Sequence, residues 1–469
     1  MIRLIVVAML TGILLVSGCR TLVPEKGTSP VMNLPETFFN SMDAGNTVKT
    51  DVGKNGWFSF NSDELNALID EALTHNFDLN TLRTKIAQQE AQLKKKEAGF
   101  FPDLGFSFGG KKKATQVKKS SSQSSTYDGS HSWDVSLSSS YTADIWGGIE
   151  AGKTSQGLTL AAARLDVKAS KLKVSSQVAQ AWIDIIATRK EKQILDQQIK
   201  INHTLLDLQK LRFANGKANA LEVSQQREAL AEASSQGPLL TKKAQLLLNS
   251  LAFLSGKTAI GSMNVTAREL PEPVWPQRVG IPADLLINRP DIQAALMRLQ
   301  SSEWDITQAK ADLLPSFSLT AQALFSSGKL DLLFRNWVAS LAASLAGPIF
   351  DAGLGQAEVD RLKAVAREQV NLYAKTVSAA IREVEDSLVT IEKQKDYIRL
   401  LEEELAVARL TLKDAMIQYR NGKSSYLSYL VAWTSIERLE RQLVGERAVY
   451  LKERVTLSAA LGRQSGTDQ

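Results

Sequence analysis

The sequence predicts a mixed, mainly α chain made of two similar halves. Each half runs helix, two strands, very long helix, turn and returning helix. Three observations lead there. Residues 158–215 and 356–421 contain neither glycine nor proline, so helices of roughly 87 and 99 Å are possible at ~1.5 Å per residue. Asn-Gly-Lys closes both stretches, with Gly216 and Gly422 lying 206 residues apart. Segments 132–146 and 315–325 alternate apolar and polar residues with the period of two that marks strands.

The chain opens with a targeting segment. Arg3 precedes an apolar run at 4–16 that ends in Val-Ser-Gly-Cys. That run is too short for a spanning helix, which needs about 20 residues. Small residues before Cys19, the only cysteine of the chain, resemble a bacterial lipobox. Residues 1–18 are then a signal peptide and 19–60 a segment tethered by lipid at Cys19; an ordinary signal peptide with an incidental cysteine is the alternative. Arg20 rather than aspartate after the cysteine favours outer-membrane sorting, by similarity to bacterial lipoproteins.

The first repeat is placed at 61–256. Its opening helix starts at Asn61-Ser62-Asp63-Glu64, where Asn61 or Ser62 can cap and the acids suit the helix dipole. A connecting segment, 257–284, leads to the second repeat at 285–462, whose helix starts at 288–291 with Pro290 in the first turn. Residues 463–469 form a tail. Both opening helices are expected to stop before Pro102 and Pro315. The prolines are 213 residues apart, not 206, so the halves differ by about seven residues; the first half is expected to carry that many fewer between proline and long helix, or more elsewhere.

The long helices carry a sustained seven-residue step. In the second it reads Val370, Val377, Val384, Ile391, Ile398, Leu405, Leu412, Tyr419, and in the first Leu158, Leu165, Leu172, Ala179, Ile186. Such a repeat packs helix along helix. A free coiled-coil rod would show it too. The strands argue against a rod. Trp133, Val135, Leu137 and Tyr141 alternate with Asp134, Ser136, Ser138 and Ser140, while Phe317, Leu319 and Phe325 alternate with Ser316, Ser318 and Thr320; a weaker strand is expected at 337–350. One apolar and one polar face suits either a half-buried sheet or ~10-residue membrane strands around a wet lumen. Aromatics at the expected strand ends (Trp133, Trp146, Trp337, Phe350) favour the membrane. Four strands cannot close a barrel, so several chains must share one.

The net charge of +6 is small for 469 residues and owes much to a basic run at 111–119. That run reads as a solvated loop between strands. No sustained basic face points to nucleic acid. His75, His131 and His203 are far apart, Met297 and Met416 are isolated, and no GxxxxGK[ST] loop is present. No catalytic group, metal site or cofactor is expected, and the chain is not read as an enzyme.

The lipobox, the duplicated architecture and the segments WFSFNSDELNALIDEAL (57–73), LLINRPDIQAAL (285–296) and PIFDAGLGQAEV (348–359) together resemble the outer-membrane efflux factors, the TolC-like channel tunnels, in their lipoprotein branch. The resemblance covers nearly the whole mature chain. It implies a homotrimer in the outer membrane of a Gram-negative bacterium, with four strands per chain in a 12-stranded β-barrel and the helical hairpins in an α-barrel tunnel across the periplasm. It implies a periplasmic adaptor, an inner-membrane pump of resistance or ABC type, and a passive conduit between them. Adaptor-docking tips would then be Arg212, Phe213, Gly216, Ala218, Leu221 and Glu222 in one hairpin, and Arg420, Gly422, Ser424, Leu427 and Ser428 in the other. Family members often carry an aspartate six residues after the tip glycine; here those positions hold Glu222 and Ser428. The gate is therefore expected at Asp414, Tyr419, Tyr426 and Tyr429, and replacing Tyr419 or Arg420 should raise closed-state conductance. A lipid-anchored trimeric scaffold or adhesin without transport is the alternative function.

Overall fold

The computed structural model describes residues 22–23, 34–40, 60, 62–118, 125–258, 263–272 and 280–462, with backbone alone over 115–118 and 125–128. Cys19, Asn61 and the tail at 463–469 lie outside them. The chain order is α1 (Asp63–His75), α2 (Phe77–Glu97), β1 (Asp103–Lys118), β2 (Ser125–Ala143), α3 (Gly148–Ala214), α4 (Ala220–Leu254), α5 (Asp284–Asn288), α6 (Pro290–Asp312), β3 (Ser316–Ser327), β4 (Trp337–Ala346), α7 (Leu354–Arg420) and α8 (Tyr426–Ala460). The fold is mainly helical with one four-stranded sheet.

The duplication is explicit in the elements. Helices α3 and α7 have 67 residues each and α4 and α8 have 35 each. At ~1.5 Å per residue the longer pair reach about 100 Å. They begin earlier than the glycine-free stretches suggest, and α3 passes through Gly152 and Gly157. The opening helix of each half is broken, which the sequence pattern did not reveal. Ser62 caps α1 by accepting from Leu65 N at 3.3 Å. At the break, buried Asn76 accepts from Asp78 N and Leu79 N (3.0 and 3.1 Å) and donates to Leu254 O at 2.9 Å. In the second half Arg289 occupies the break and donates to Ala460 O at 3.1 Å. Two different side chains thus tie equivalent breaks to equivalent carbonyls near the ends of α4 and α8.

Two compact units divide the chain. One contains 85–163 and 295–373, including the sheet. Its strands pair antiparallel in the order β1-β2-β3-β4, leaving β1 and β4 as edges. Opposed residues share a face, and the register sorts them cleanly. Phe106 meets Leu137, Phe108 meets Val135, Leu137 meets Ala323, Tyr141 meets Leu319 and Phe317 meets Leu345. Across the other face Ser107 meets Ser136, Ser138 meets Gln322 and Ser318 meets Ser344. Ser107 and Ser136 hydrogen bond at 2.8 Å, and Ser326 donates to Asp134 at 2.6 Å. The apolar face is bare: Phe106 is 71% exposed and Leu341 80%.

Three strand expectations change. β1 and β2 run 16 and 19 residues, and Lys111 to Lys118 are paired strand, not loop. β4 stops at Ala346 rather than 350. The stretch from Pro102 to α3 is seven residues longer than that from Pro315 to α7, so the excess, not a shortfall, lies in the first half. The expectation failed because lysine has low strand propensity and a cluster of them reads as solvated; pairing across a hairpin overrides that local preference.

The second unit contains 32–84, 164–294 and 374–469. Its main core gathers Leu65, Ile69, Ala72, Val178, Trp182, Ile186, Leu251 and Val455. The heptad seam of α7 is realised here: Val377, Val384 and Leu405 are buried, and Ile391, Ile398, Leu412 and Tyr419 are half-buried.

Candidate functional site: the paired helical tips

Both tips are built by the same backbone device. Gly216 and Gly422 have φ of +68° and +69°. Gly216 N donates to Phe213 O (2.9 Å) and Lys217 N to Arg212 O (2.8 Å); Gly422 N donates to Tyr419 O (3.0 Å) and Lys423 N to Gln418 O (2.9 Å). This pair of bonds closes a helix through a left-handed residue, a place where glycine carries no Cβ penalty. The restarts differ. Asn219 Oδ1 accepts from Glu222 N at 2.9 Å to cap α4, whereas Ser425 gives α8 no side-chain cap.

The larger difference is aromatic. Tyr419, Tyr426 and Tyr429 form a triangle with ring centroids 5.4, 5.8 and 6.3 Å apart. Their counterparts 206 residues earlier are Phe213, Ala220 and Val223, so only the second tip carries the cluster. Residues of the first hairpin close over it. The Arg212 guanidinium lies 4.8 Å from the Tyr419 ring centre. The Tyr419 hydroxyl accepts from Gln209 Nε2 at 3.2 Å and donates to Glu222 Oε2 at 3.3 Å. Fully buried Tyr426 donates to Gln226 Oε1. Burial pushes the tyrosine hydroxyls upward, Tyr426 most, so all three stay neutral.

A polar layer continues away from the tip. Gln226 Nε2 donates to Asn202 Oδ1 (2.8 Å), Asn202 Nδ2 to Glu437 Oε1 (2.7 Å), and Gln198 Nε2 to Glu437 O (3.1 Å), while Arg441 donates to Gln198. Burial raises the Glu437 carboxyl above the usual range, with the Asn202 bond opposing it. The tip-to-layer relay therefore links α3, α4, α7 and α8 through side chains that must all be satisfied to be tolerated in a helical seam.

The family model for outer membrane efflux proteins matches residues 68–257 and again 281–463, once per half and well over half of the chain. The chain belongs to the outer membrane efflux protein family. Among curated relatives of this efflux protein, the pyoverdine export outer membrane protein OpmQ of Pseudomonas aeruginosa is 29% identical over 425 residues, covering 89% of each chain. The cation efflux system protein CusC of Escherichia coli K12 is 25% identical over 463 residues, covering 96% of this chain and 97% of its own. Solved structures share the fold: the outer-membrane channel OprN at TM-score 0.85 and 21% identity (94% of this chain, 98% of that one), and CusC at 0.82 and 23% (94% and 99%). The efflux protein is an outer-membrane protein, and its family is one of transport.

Of the residues singled out from sequence, Tyr419, Tyr426, Tyr429, Arg212 and Glu222 come together in one cluster. Phe213, Leu221, Leu427, Arg420, Gly422 and Ser428 are exposed at the tips, Ala218 and Ser424 are half-exposed, and Gly216 sits at the first turn. Asp414 is exposed on α7. Sequence reasoning missed Gln209, Gln226, Asn202, Gln198 and Glu437. A signal existed: Leu195, Asn202 and Gln209 hold a seven-residue step, all buried, and polar residues inside such a seam mark a specified contact.

Proposed function

We propose that this efflux protein is the passive outer-membrane channel of a tripartite efflux or export system, working as a homotrimer. Its periplasmic helix tips are closed by the tyrosine cluster and opened when a periplasmic adaptor and an inner-membrane pump of resistance or ABC type engage them. The observation that carries this reading is the sheet: a bare apolar face, a hydroxyl-lined face and two unpaired edges. A sheet of that kind is costly in water and in lipid unless its edges are closed. Three copies give 12 strands, within the size range of membrane barrels. The exposed residues at the two tips, with Arg212, Gly216, Ala218, Glu222 and Ser424 beside them, are the adaptor-docking surfaces; Tyr419, Tyr426 and Tyr429 are the gate. Cys19 carries the lipid.

The relatives named for pyoverdine, cation and toluene export differ in cargo on one scaffold, which supports a conduit whose pump selects the substrate. The test is a planar bilayer. Purified trimers should give discrete conductance steps without nucleotide, and steps should grow when adaptor is added. Heat-modifiable trimers that never conduct, with or without adaptor, would support the scaffold instead.

A further inference from the structure

Beyond Trp133 the sheet loses two of its strands. β3 ends at Ser327, paired with Trp133, and β4 begins at Trp337, paired with Phe325. β1 and β2 continue alone for eight more pairs, from Lys111↔Ser132 to Lys118↔Ser125, a ribbon of about 26 Å at ~3.3 Å per residue. The excess residues of the first half lie in this hairpin. The ribbon leaves the sheet at the end remote from the strand termini that join α2 and α3.

The apolar face climbs to this end through Leu104, Phe106 and Phe108. There the Trp133 ring stacks on Phe108 at 5.9 Å and covers Gly110, where a Cβ would meet it at 2.6 Å. Phe325 and Phe334 pack edge to face at 5.4 Å at the same level. Aromatics at one level of a lipid-facing sheet mark the headgroup boundary. One step outward on the same face, about 7 Å further, stands Lys112, paired with His131; Lys111 and Lys113 flank it along the strand but belong to the opposite, hydroxyl-lined face, and all four are exposed. None of the three lysines meets a carboxylate among the described residues. Apolar column, aromatic layer and the Lys112–His131 pair thus follow one another along a single face, which is the sequence of environments across one leaflet: acyl chain, interface, phosphate.

We propose that Lys112, with His131 beside it, binds the phosphate groups of lipid A in the outer leaflet, so that three ribbons clamp the barrel to lipopolysaccharide. Lysines are effective point-charge partners for phosphate, and each basic residue near an anionic surface adds affinity. The proposal rests on the outer-membrane channel reading, which places the ribbon end outside the cell.

The experiment uses the full-length trimer in detergent and measures fluorescent diphosphoryl lipid A binding, with conductance recorded on the same preparation. Wild type should bind, and K112Q should bind about fivefold more weakly, while K112R should retain binding and K111Q/K113Q, altered on the opposite face, should bind as wild type. Dephosphorylated lipid A should compete poorly, as should phosphatidylglycerol and millimolar inorganic phosphate. Equal binding by wild type and K112Q would overturn the proposal, as would equal competition by phosphatidylglycerol or free phosphate. Conducting trimers that do not bind lipid A would overturn it alone; trimers that neither conduct nor bind would remove the channel reading beneath it.

Discussion

Tyr419 and Arg420 are neighbours in sequence with separate roles in space. Tyr419 joins α7 to Gln209 and Glu222 of the other hairpin, while Arg420 is exposed at the tip. Removing the hydroxyl while keeping the ring deletes two hydrogen bonds of about 1 kcal/mol each. Tyr419→Phe should therefore raise closed-state conductance severalfold, whereas Arg420→Ala, which the sequence alone predicts to do the same, should leave it unchanged and weaken adaptor binding, because Arg420 stands exposed outside the cluster. Equal conductance gains in both variants would show that the tip loosens as a whole. Glu437 gives a pH signature. Its carboxyl is raised in the folded chain by burial, so the folded state holds its proton more tightly than the unfolded one. Its ionisation then costs stability above the raised value, and the cost fades as pH falls toward 4.5, the ordinary value. Glu437→Gln keeps an acceptor for Asn202 and removes the charge. Amide exchange in α8 near residue 437 should slow at pH 7–8 relative to wild type and match it near pH 4.5.

At the scale of elements, four glycines end helices with φ near +68°, yet they are not equivalent. A Cβ on Gly216 or Gly422 meets nothing within 4 Å, so alanine there costs only the left-handed penalty, about 1–2 kcal/mol. On Gly256 it would meet His75 O at 2.2 Å and on Gly462 Asn288 O at 2.6 Å, both backbone atoms beside the helix breaks. Gly256→Ala and Gly462→Ala should each cost about 3 kcal/mol or more and abolish trimer recovery from the membrane, while the tip variants still assemble. Comparing heat-modifiable trimer yields across the four would decide it. The sequence paired these glycines correctly at one offset. It could not separate them, because the difference lies in what approaches each turn from elsewhere in the chain. The break at Asn76 was hidden for the same reason: Asn76 and Arg289 are unlike side chains that reach equivalent carbonyls, so no motif repeats, although Pro290 did mark the helix start in the second half.

Over the whole molecule, regular features were the readable ones. Seven-residue steps on α3 and α7 and period-two strands survive translation into burial and register, because one periodicity maps onto one face. A long-range polar contact such as Asn202 to Glu437 was missed because the seven-residue step that puts Asn202 in the seam does not name a partner 235 residues away. The same regularity decides between channel and scaffold. A scaffold held only by lipid would depend on Cys19 for its membrane attachment. A channel would not, since Phe106, Leu341 and Leu345 lie bare along one face of the sheet, and each large apolar side chain left in water forgoes about 1.5–3 kcal/mol. Summed over the apolar residues of four strands in each chain, that cost keeps the sheet in lipid whether or not the Cys19 anchor is present. Cys19→Ser should therefore remain in the outer-membrane fraction, require detergent for extraction and still run as a heat-modifiable trimer. Its appearance as a soluble periplasmic protein would mean that the sheet's apolar face is covered by protein rather than lipid, and the conduit reading would fall with it.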